Sequence, residues 1–449
     1  MYSLAEIIEW SGGKLFGDGF KLTTKATGVS IDTRTLKYGD IFFALKGEKN
    51  DGHEYIIKAF EKGALAAVVE SSMNIGLPQI VVPDVLKAFQ DCAREYRKKL
   101  NIKVVGVTGS NGKTTTKDMI TAVLRTKYQV SCTEGNYNNH MGVPLSVLSA
   151  KPDSQFGVFE VGMNHQGETA PLAEIIAPQV TVITGIGMAH AEAFQDTKCV
   201  GGVCEAIARE KGDLVRALSK KGLLVIPEKE KFKDLISSFA PTAKVIGVST
   251  ANKEAIEIQG ELIKGGFIYA TAAHMIQNAL LAMAVGAEFG VLKEDAIKAI
   301  SKLEYEEGRF TEKTVQGIHI IDDTYNANPD SVCAAIDALG KINKKGKMVL
   351  VLGKLLEQGN SLFDGYQRIY ENAFQIGIDT IVLCDIDWDP TKLPDVLINK
   401  HGGKVVPKII HVGNHEECAE KVKDMYKEGD IVLFKGSKSS EMKRVIGML

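Results

Sequence analysis

The segment Lys103–Thr116 has the residue types and spacing that hold a nucleotide phosphate. An apolar run enters a glycine loop that reads T-G-S-N-G-K-T-T, and a helical pattern begins at Lys113. Backbone N–H groups of such a loop and of the helix N-terminus face the anion, the lysine reaches the outer phosphates, and Thr114 can ligate Mg²⁺. Val107 stands where the usual loop has its first glycine, so this is a narrower variant. The predicted phosphate-binding residues are Thr108, Gly109, Ser110, Asn111, Gly112, Lys113 and Thr114.

Three single residues elsewhere could take part in phosphate chemistry. Glu160 lies near the end of an apolar run, and a carboxylate at a strand end beside a phosphate loop is a natural Mg²⁺ ligand. His190 follows another apolar run, although a lone histidine is more often a packed or exposed residue. Lys211 lies in the charged helical segment Ala208–Asp213, whose pattern is typical of a solvated helix face. The residues alone leave the roles of His190 and Lys211 open.

The segment Asp322–Pro329 places paired acids and then amide side chains at a predicted strand end. Such a group of side chains suits a sugar hydroxyl or a peptide ligand. A plain Asx turn accounts for the same residues without any ligand, so both interpretations stand.

The elements that must position these residues form three predicted α/β domains. Continuous apolar strands that alternate with helices are typical of parallel sheets, and ligands collect at the carboxyl ends of such strands. We predict a small mixed α/β domain at 1–83 and a central parallel-sheet domain at 84–308, which starts with a linking helix at 84–100. The third predicted domain, at 309–449, is a C-terminal Rossmann-like open α/β sheet that is smaller than the central sheet. Predicted strands are Asp40–Leu45, Ala66–Val69, Gly157–Val161, Val180–Thr184, Ile318–Asp322, Met348–Leu352, Thr380–Leu383 and Ile431–Phe434.

Composition narrows the class of protein. The chain has 449 residues, is 45% hydrophobic and 24% charged, and carries a formal net charge of −2, which gives no electrostatic case for binding nucleic acid. Its seven cysteines are scattered, as reduced thiols are in a cytoplasmic protein. No apolar run reaches membrane-spanning length, and the N-terminus lacks a signal-peptide pattern. We expect a cytoplasmic monomer without nucleic-acid binding or membrane insertion.

Several ordered motifs together resemble the Mur ligase family. The segments that carry the resemblance in the predicted central and C-terminal domains are Thr108–Thr114, Gly135–Pro144, Glu160–Glu168, Ala189–His190 and Asp322–Pro329. Those that resemble the family's UDP-binding domain are Ser30–Arg34, Gly39–Gly47 and Asp51–His53. The match runs in order from about residue 28 to Ser437. Within the family, the chain is most similar to the ligases that add D-alanyl-D-alanine to UDP-N-acetylmuramoyl-tripeptide.

The resemblance implies a reaction and a role for each matching residue. ATP would phosphorylate the terminal carboxylate of the UDP-linked peptide, and the amine of the dipeptide would displace phosphate from this acyl phosphate. The implied catalytic residues are Lys113, Glu160, His190 and Lys211, of which Lys211 would carry a carbamate formed from CO₂. The implied ligands of a first and a second Mg²⁺ are Thr114, Glu160, His190 and Lys211. ATP would also contact Asn278, Arg309 and Asp323, and the other substrates would contact Ser30, Arg34, Lys46, Asn138, Asn139, Asn326 and Asn328.

The chain departs from the family pattern at three positions. Met275 replaces an asparagine that contacts adenine, Lys354 reverses the charge of an acid, and Lys438 replaces an arginine and so loses a bidentate fork. The stretch between Gly222 and His274 also looks shortened. Because two departures lie on the predicted acceptor side, a Mur-type ligase with another acceptor, such as an archaeal pseudomurein peptide ligase, stays open. A folylpolyglutamate synthase-like ligase is a further alternative.

Overall fold

The computed structural model describes residues 2–17, 21–47, 50–197, 199–264, 272–342, 346–386 and 407–449. Within these ranges, three β-sheets follow one another along the chain, and each is built from one of the predicted regions. The α/β class is therefore confirmed. Among the described helices, none combines the length and the apolar character needed to cross a membrane.

The first sheet is small and mixed. Its five strands lie in the order β1-β5-β4-β3-β2, with β1 antiparallel to β5 and the other pairs parallel. Helix α1 begins with a capping box, in which the Ser3 hydroxyl accepts from the Glu6 N–H and the Glu6 carboxylate accepts from the Ser3 N–H. The elements are α1 (Leu4–Ser11), β1 (Lys14–Phe16), β2 (Val29–Ser30), β3 (Ile41–Phe43), α2 (Ile56–Glu61), β4 (Ala66–Val69) and β5 (Gln79–Val81).

The central sheet has six parallel strands in the order β11-β10-β9-β6-β8-β7. Its middle strands are buried apart from Lys103, as expected for a sheet covered on both faces. The strands are β6 (Lys103–Thr108), β7 (Val130–Cys132), β8 (Phe156–Glu160), β9 (Val180–Ile183), β10 (Leu223–Pro227) and β11 (Lys244–Val248). The helices are α3 (Val85–Lys99), α4 (Lys113–Arg125), α5 (Gly142–Leu148), α6 (Thr169–Ile176), α7 (Gly202–Arg216), α8 (Lys233–Ser237), α9 (Lys253–Lys264), α10 (Ala273–Glu288) and α11 (Lys293–Ser301).

The C-terminal sheet lies in the order β12-β13-β17-β14-β15-β16, and only the edge strand β12 is antiparallel to its neighbour among these described strands. It has six strands, like the central sheet, so the prediction of a smaller sheet was wrong in strand number. The strands are β12 (Thr311–Val315), β13 (Ile318–Asp323), β14 (Met348–Leu352), β15 (Thr380–Cys384), β16 (Lys408–Val412) and β17 (Ile431–Lys435). The helices are α12 (Pro329–Leu339), α13 (Leu362–Ile376), α14 (His415–Met425) and α15 (Lys443–Gly447).

Shared hydrophobic cores join the three sheets. Helix α3 is capped by Asp84 and buries Phe89 and Tyr96 in a core that includes residues of the first and central sheets. A second core runs from the central sheet through Met275 and Phe310 into the C-terminal sheet. This continuous packing brings the carboxyl ends of the central and C-terminal strands to one cleft.

Candidate active site

A cavity of about 790 Å³ lies between the central and C-terminal sheets. Residues at or just beyond the carboxyl ends of β6, β8 and β9 line one side, and residues that follow β13, β14 and β17 line the other. The predicted residues that line it are Ser110, Asn111, Gly112, Lys113, Thr114, Asn138, Asn139, Glu160, His190, Asn278, Arg309, Asp323, Asn326 and Asn328. Thr108, Gly109 and Lys211 lie behind this lining, and Ser30, Arg34 and Lys46 belong to the first sheet's region.

The phosphate loop connects β6 to α4 and owes its shape to Gly112. This residue has φ +77°, in the left-handed region that glycine adopts without strain, and it precedes the first residue of α4. A Cβ at position 112 would lie 2.7 Å from Oδ1 of Asn278, so no other residue fits there without displacement. The amide of Asn278, expected to contact ATP, thus packs directly against the loop.

Lys113 lies over the loop that it follows. Its Nζ donates to the backbone oxygens of Gly109 at 2.9 Å and Ser110 at 3.3 Å. Burial lowers the pKa of Lys113, while the nearby Glu160 opposes this shift. The ammonium therefore lies where the phosphates of a bound nucleotide would need a counter-charge.

Glu160 ends β8 as predicted and is only 1% exposed. Its Oε1 accepts from Nδ2 of Asn138 at 2.6 Å, whereas its Oε2 has no hydrogen-bond partner among the described residues. Asn138, expected to approach the substrate, thus also orients this carboxylate. Asn139 uses its Oδ1 to accept from the N–H of Gly142 at 2.9 Å, at the start of α5.

Lys211 contradicts the solvated-face interpretation, because its side chain is fully buried. It lies on α7, and its Nζ has no hydrogen-bond partner among the described residues. Burial, followed by repulsion from Lys113, lowers the pKa of Lys211 well below its usual value, although Glu210 and Glu160 oppose the shift. Glu210 accepts from the N–H groups of Gly167 and Thr169, both at 2.8 Å, and so fixes the loop between β8 and α6. The arrangement is a desolvated amine close to the Glu160 carboxylate.

His190 reaches the cleft from a loop after β9. Its backbone has φ +62°, an uncommon conformation for a residue with a side chain. Nδ1 lies 2.7 Å from Oε2 of Glu357, without the angle of a hydrogen bond. Contact with His190 lowers the pKa of Glu357, while partial burial opposes the shift. Glu357 follows β14, so this contact crosses from the central to the C-terminal sheet.

On the C-terminal side, Asp323 ends β13 and forms an ion pair with the buried Lys435 at the end of β17. Its Oδ1 also accepts from the N–H of Phe310 at 3.1 Å. Burial raises the pKa of Asp323, and Lys435 opposes the shift. Both carboxylate oxygens of Asp323 therefore already have protein partners. The prediction that Asp323 contacts ATP did not include these partners.

Arg309 lies at the start of the C-terminal region. Its guanidinium carbon is 3.8 Å from the centre of the Tyr325 ring, so the cation stacks on the aromatic face. The Nη2 atom is buried without a hydrogen-bond partner among the described residues. An unpaired N–H donor that lines a cleft is well suited to an anion.

Asn328 links the two sides of the cleft. It caps α12, and its Nδ2 donates to Oδ1 of Asn111 at 2.7 Å, while Asn111 Nδ2 donates back at 3.3 Å. Asn326 Oδ1 accepts from the N–H of Lys438 at 3.4 Å. The phosphate loop is therefore bonded directly to the segment predicted to meet the second substrate.

The three predicted residues of the first sheet's region do not line the cleft. The Ser30 hydroxyl donates to the backbone oxygen of Asp32 at 2.9 Å, and Arg34 pairs with the Asp32 carboxylate at 2.6 Å while remaining exposed. Lys46 pairs with Glu70. These side chains are available only to a part of a ligand that reaches beyond the cavity.

The residues that depart from the family pattern each have defined surroundings. Met275 is 4% exposed and belongs to the hydrophobic core while also lining the cleft. Lys354 pairs with Asp385 at 3.3 Å, and the Lys438 ammonium lies 5.8 Å from the centre of the Tyr325 ring. Part of the stretch suspected of shortening, 265–271, lies outside the described residues.

Sequence reasoning missed several cleft residues. Tyr325 occurs inside the segment Asp322–Pro329, and Lys435 directly follows the predicted strand Ile431–Phe434, but a turn tyrosine and a strand-end lysine carry no signal of their own. Glu357 belongs to a glycine-bounded loop after β14, and only its contact with His190 reveals it. His274 is the second residue of α10, and its ring meets the Phe310 ring edge-on at a centroid distance of 5.8 Å. Burial lowers the pKa of His274 to about 4.

Comparisons with known proteins agree with this geometry. Three family models match: the Mur ligase family catalytic domain at residues 25–109, the Mur ligase middle domain at 107–286, and the Mur ligase glutamate ligase domain at 308–438. A relative from Bacillus subtilis, UDP-N-acetylmuramoyl-tripeptide–D-alanyl-D-alanine ligase, is 35% identical over 93% of this chain and 92% of its own length. The ligase of the same name from Haemophilus influenzae is 31% identical over 99% and 96%. A crystal structure of MurF from Acinetobacter baumannii aligns with a TM-score of 0.82 at 25% identity, covering 99% of this chain and 98% of that one.

Proposed function

The chain belongs to the Mur ligase family, and we propose that it joins D-alanyl-D-alanine to UDP-N-acetylmuramoyl-tripeptide at the expense of ATP, a step of peptidoglycan precursor synthesis. The observation that carries the proposal is the cleft, where a phosphate loop and the Asp323–Asn328 segment face each other. A ligase of this kind needs ATP and two further substrates to meet at one point.

The chemistry starts from an unreactive carboxylate, whose leaving group would be oxide. In the first step a carboxylate oxygen of the tripeptide attacks the γ-phosphorus of ATP, and ADP leaves. In the second step the dipeptide amine attacks the acyl carbon, loses a proton, and displaces phosphate. Lys113 supplies positive charge to the phosphate oxygens, and the unpaired Nη2 of Arg309 supplies a hydrogen-bond donor. Groups held in place before the reaction stabilise the charge that develops during phosphoryl transfer.

The residues around Glu160 suit Mg²⁺. Within the described part of the chain, no cluster of three or more His, Cys, Asp or Glu side chains could hold a metal unaided. Glu160 nevertheless presents a buried oxygen without a partner, and Thr114 lies nearby at the start of α4. Thr114, Glu160, His190 and a carbamate on Lys211 would hold the first and second Mg²⁺ together with phosphate oxygens. When bound, Mg²⁺ offsets the negative charge of the reacting phosphoryl group.

Lys211 is proposed to carry that carbamate. A neutral amine attacks the carbon of CO₂ and loses a proton, which turns a potential cation into an anion with two oxygen donors. Reaction requires the neutral amine, and the burial of Lys211 favours this form. Nζ of Lys211 has no hydrogen-bond partner among the described residues, so no hydrogen bond of this amine has to break when the carbamate forms.

The remaining assignments are proposals about binding. The region 1–83, with Ser30, Arg34 and Lys46, would bind the UDP part of the substrate. The central region 84–308 would bind ATP, and Asn138 and Asn139 would approach the sugar phosphate. The region 309–449 would contact ATP through Asp323 and the dipeptide near Asn326 and Asn328. A cytoplasmic, monomeric enzyme fits these soluble substrates, and all seven cysteines are free thiols.

The proposal is tested by measuring ADP release and product mass with purified protein. ADP and the ligated pentapeptide are expected only when ATP, UDP-N-acetylmuramoyl-tripeptide and D-alanyl-D-alanine are all present. Lys113→Ala should abolish both signals, which excludes a contaminating ATPase. Ligation without ATP, or ATP turnover that ignores both peptides, would contradict the proposed function.

A further inference from the structure

We propose that Glu357 is a positioning residue for His190, so that the metal site becomes competent only when the C-terminal domain is docked on the central one. This inference rests on the proposed function, in which His190 is a metal ligand. It concerns a carboxylate that the sequence motifs did not single out. One contact, two residues with positive φ and three further hydrogen bonds join the His190 loop to the C-terminal domain.

The contact brings a carboxylate to a ring nitrogen of the proposed metal-ligating histidine, at ion-pair distance and without the angle of a hydrogen bond in this structure. Nδ1 of His190 lies 2.7 Å from the Glu357 carboxylate, so only Nε2 of the ring is left for a ligand in the cleft. Histidines that bind metals almost always direct their other nitrogen to a carboxylate or carbonyl, which fixes the ring orientation and the tautomer. Removal of such a carboxylate typically weakens metal binding ~10–100-fold.

The backbones at both ends of the contact are unusual. His190 has φ +62° and Glu357 has φ +60°, although neither is glycine. Residues with side chains occupy this region at a cost, and they persist where the surrounding structure imposes the conformation. Two such residues meet across the domain boundary, where the 2.7 Å contact joins their side chains.

Further links bind the loop 187–195 to the C-terminal domain. The Glu192 N–H donates to the backbone oxygen of Glu357 at 3.1 Å, and Oε1 of Gln195 accepts from the N–H of Asn360 at 3.2 Å. On the other side, the Met188 N–H donates to Oδ2 of Asp330 at 2.9 Å. The loop that carries His190 is therefore held at both ends by residues that follow β13 and β14.

Gly359 permits the close approach of the loop after β14 to the loop 187–195. A Cβ at Gly359 would lie 2.0 Å from Nε2 of Gln195, so a larger residue would push the two loops apart. Because the links join backbone as well as side-chain atoms, separation of the domains would release the whole His190 loop. Glu357 would then no longer orient the ring.

The test measures binding of Mn²⁺, as a probe for Mg²⁺, by electron paramagnetic resonance on the full chain with ADP present. Glu357→Ala is expected to weaken Mn²⁺ binding ~10–100-fold, and Glu357→Gln, which keeps the shape without the charge, by less. Glu312→Gln is the matched control, because Glu312 contacts His319 at 3.0 Å within the same domain and away from the cleft. It should bind Mn²⁺ like the unaltered protein.

A double variant shows whether Glu357 acts through His190. His190→Ala with Glu357→Ala should bind Mn²⁺ no more weakly than His190→Ala alone, since the carboxylate then has nothing to orient. Hydrogen exchange of the metal-free, nucleotide-free protein gives a second readout, in which Glu357→Ala should speed exchange across residues 188–195. Additive losses in the double variant, or unchanged Mn²⁺ binding in both Glu357 variants, would overturn the inference.

The outcomes also separate this inference from the proposed function. If His190→Ala weakens Mn²⁺ binding and the Glu357 variants do not, the metal role of His190 stands and the positioning role fails. If His190→Ala itself leaves Mn²⁺ binding unchanged, the metal role fails and the inference falls with it. Circular dichroism on each variant checks that the fold is retained.

Discussion

Among single residues, the unusual feature is that the amines of the half-buried Lys113 and the fully buried Lys211 both interact electrostatically with the buried carboxylate of Glu160. Burial lowers the pKa of both Lys113 and Lys211, and Lys113 lowers that of Lys211 further, while Glu160 favours both charged forms. A buried cation without a partner is costly, so burial favours the neutral form of Lys211. The carbamate proposed for Lys211 forms from this neutral amine.

Replacement of Lys211 by residues that cannot form a carbamate should remove activity without loss of stability. Lys211→Met keeps an apolar chain in a buried position, so we expect unchanged or higher thermal stability and almost no ADP release. Lys211→Arg should not recover, because a guanidinium does not react with CO₂. Acetate or formate added to Lys211→Ala should restore part of the rate by filling the anionic position. Full activity of Lys211→Ala without additive would contradict the carbamate.

Removal of Glu160 or His190 should lower turnover ~10²-fold or more, the scale of a lost electrostatic contribution at a phosphoryl centre. Glu160→Ala and His190→Ala are compared with Glu228→Ala, a carboxylate that follows β10 outside the cleft and pairs with Lys233. Steady-state ADP release is the measurement. Near-normal turnover in the first two variants, or an equal loss in the control, would remove the metal role.

At the scale of elements, the phosphate loop depends on the glycine that precedes α4. Gly112→Ala should abolish ATP binding, because it adds left-handed strain of roughly 1–2 kcal/mol and a collision with Asn278. Gly76→Ala is the matched control, since Gly76 has φ +65° with no atom within 4 Å of an added Cβ. Titration calorimetry with ATP should show binding in the control alone. Equal affinities would mean that the loop tolerates the collision.

The sequence predicts several of the buried strands, because short continuous apolar runs between turn residues are typical of strands covered on both faces. Ala66–Val69 and Met348–Leu352 have the predicted bounds, and Val180–Thr184 is one residue longer than β9. Strands β2, β5, β7, β10, β11 and β16 were not predicted, although β10 is an apolar run that is buried throughout. The edge strands β1 and β12 were not predicted either. The three residues of β1 are all exposed, and β12 is only partly buried, so neither carries an apolar pattern.

The parts of the site that escaped prediction depend on tertiary packing. Lys211 lies in a helix whose charges suggest a solvated face, and Glu205 and Arg209 do form an exposed ion pair there, while Lys211 points into the core. The contact between His190 and Glu357 joins residues far apart in the chain. Neither fact follows from spacing or composition, because both depend on how the two sheets pack.

At the scale of the whole molecule, the central and C-terminal domains meet through a shared core and through polar links such as Asn111 with Asn328. If both sides contribute to one reaction centre, as proposed, we expect substrates to enter while the domains are apart and to react after the domains close. Arg309 lies at the junction, and we expect it to be near the hinge.

Solution scattering should detect this closure. A non-hydrolysable ATP analogue with UDP-N-acetylmuramoyl-tripeptide is expected to reduce the radius of gyration relative to the free protein. Asp330→Ala, which removes the acceptor of the Met188 N–H and the partner of Arg368, should reduce that compaction. Identical scattering with and without ligands would count against closure in solution.

The identity of the acceptor amine decides the proposed function, and the changes at Lys354 and Lys438 lie in the region that is proposed to contact this acceptor. The direct experiment supplies ATP and UDP-N-acetylmuramoyl-tripeptide with an equimolar mixture of D-alanyl-D-alanine, single amino acids and L-dipeptides, and identifies products by mass. The proposal predicts the D-alanyl-D-alanine adduct as the dominant product. A dominant adduct of another amine, or a product formed only when a folate or a different nucleotide-linked peptide replaces the tripeptide, would contradict it.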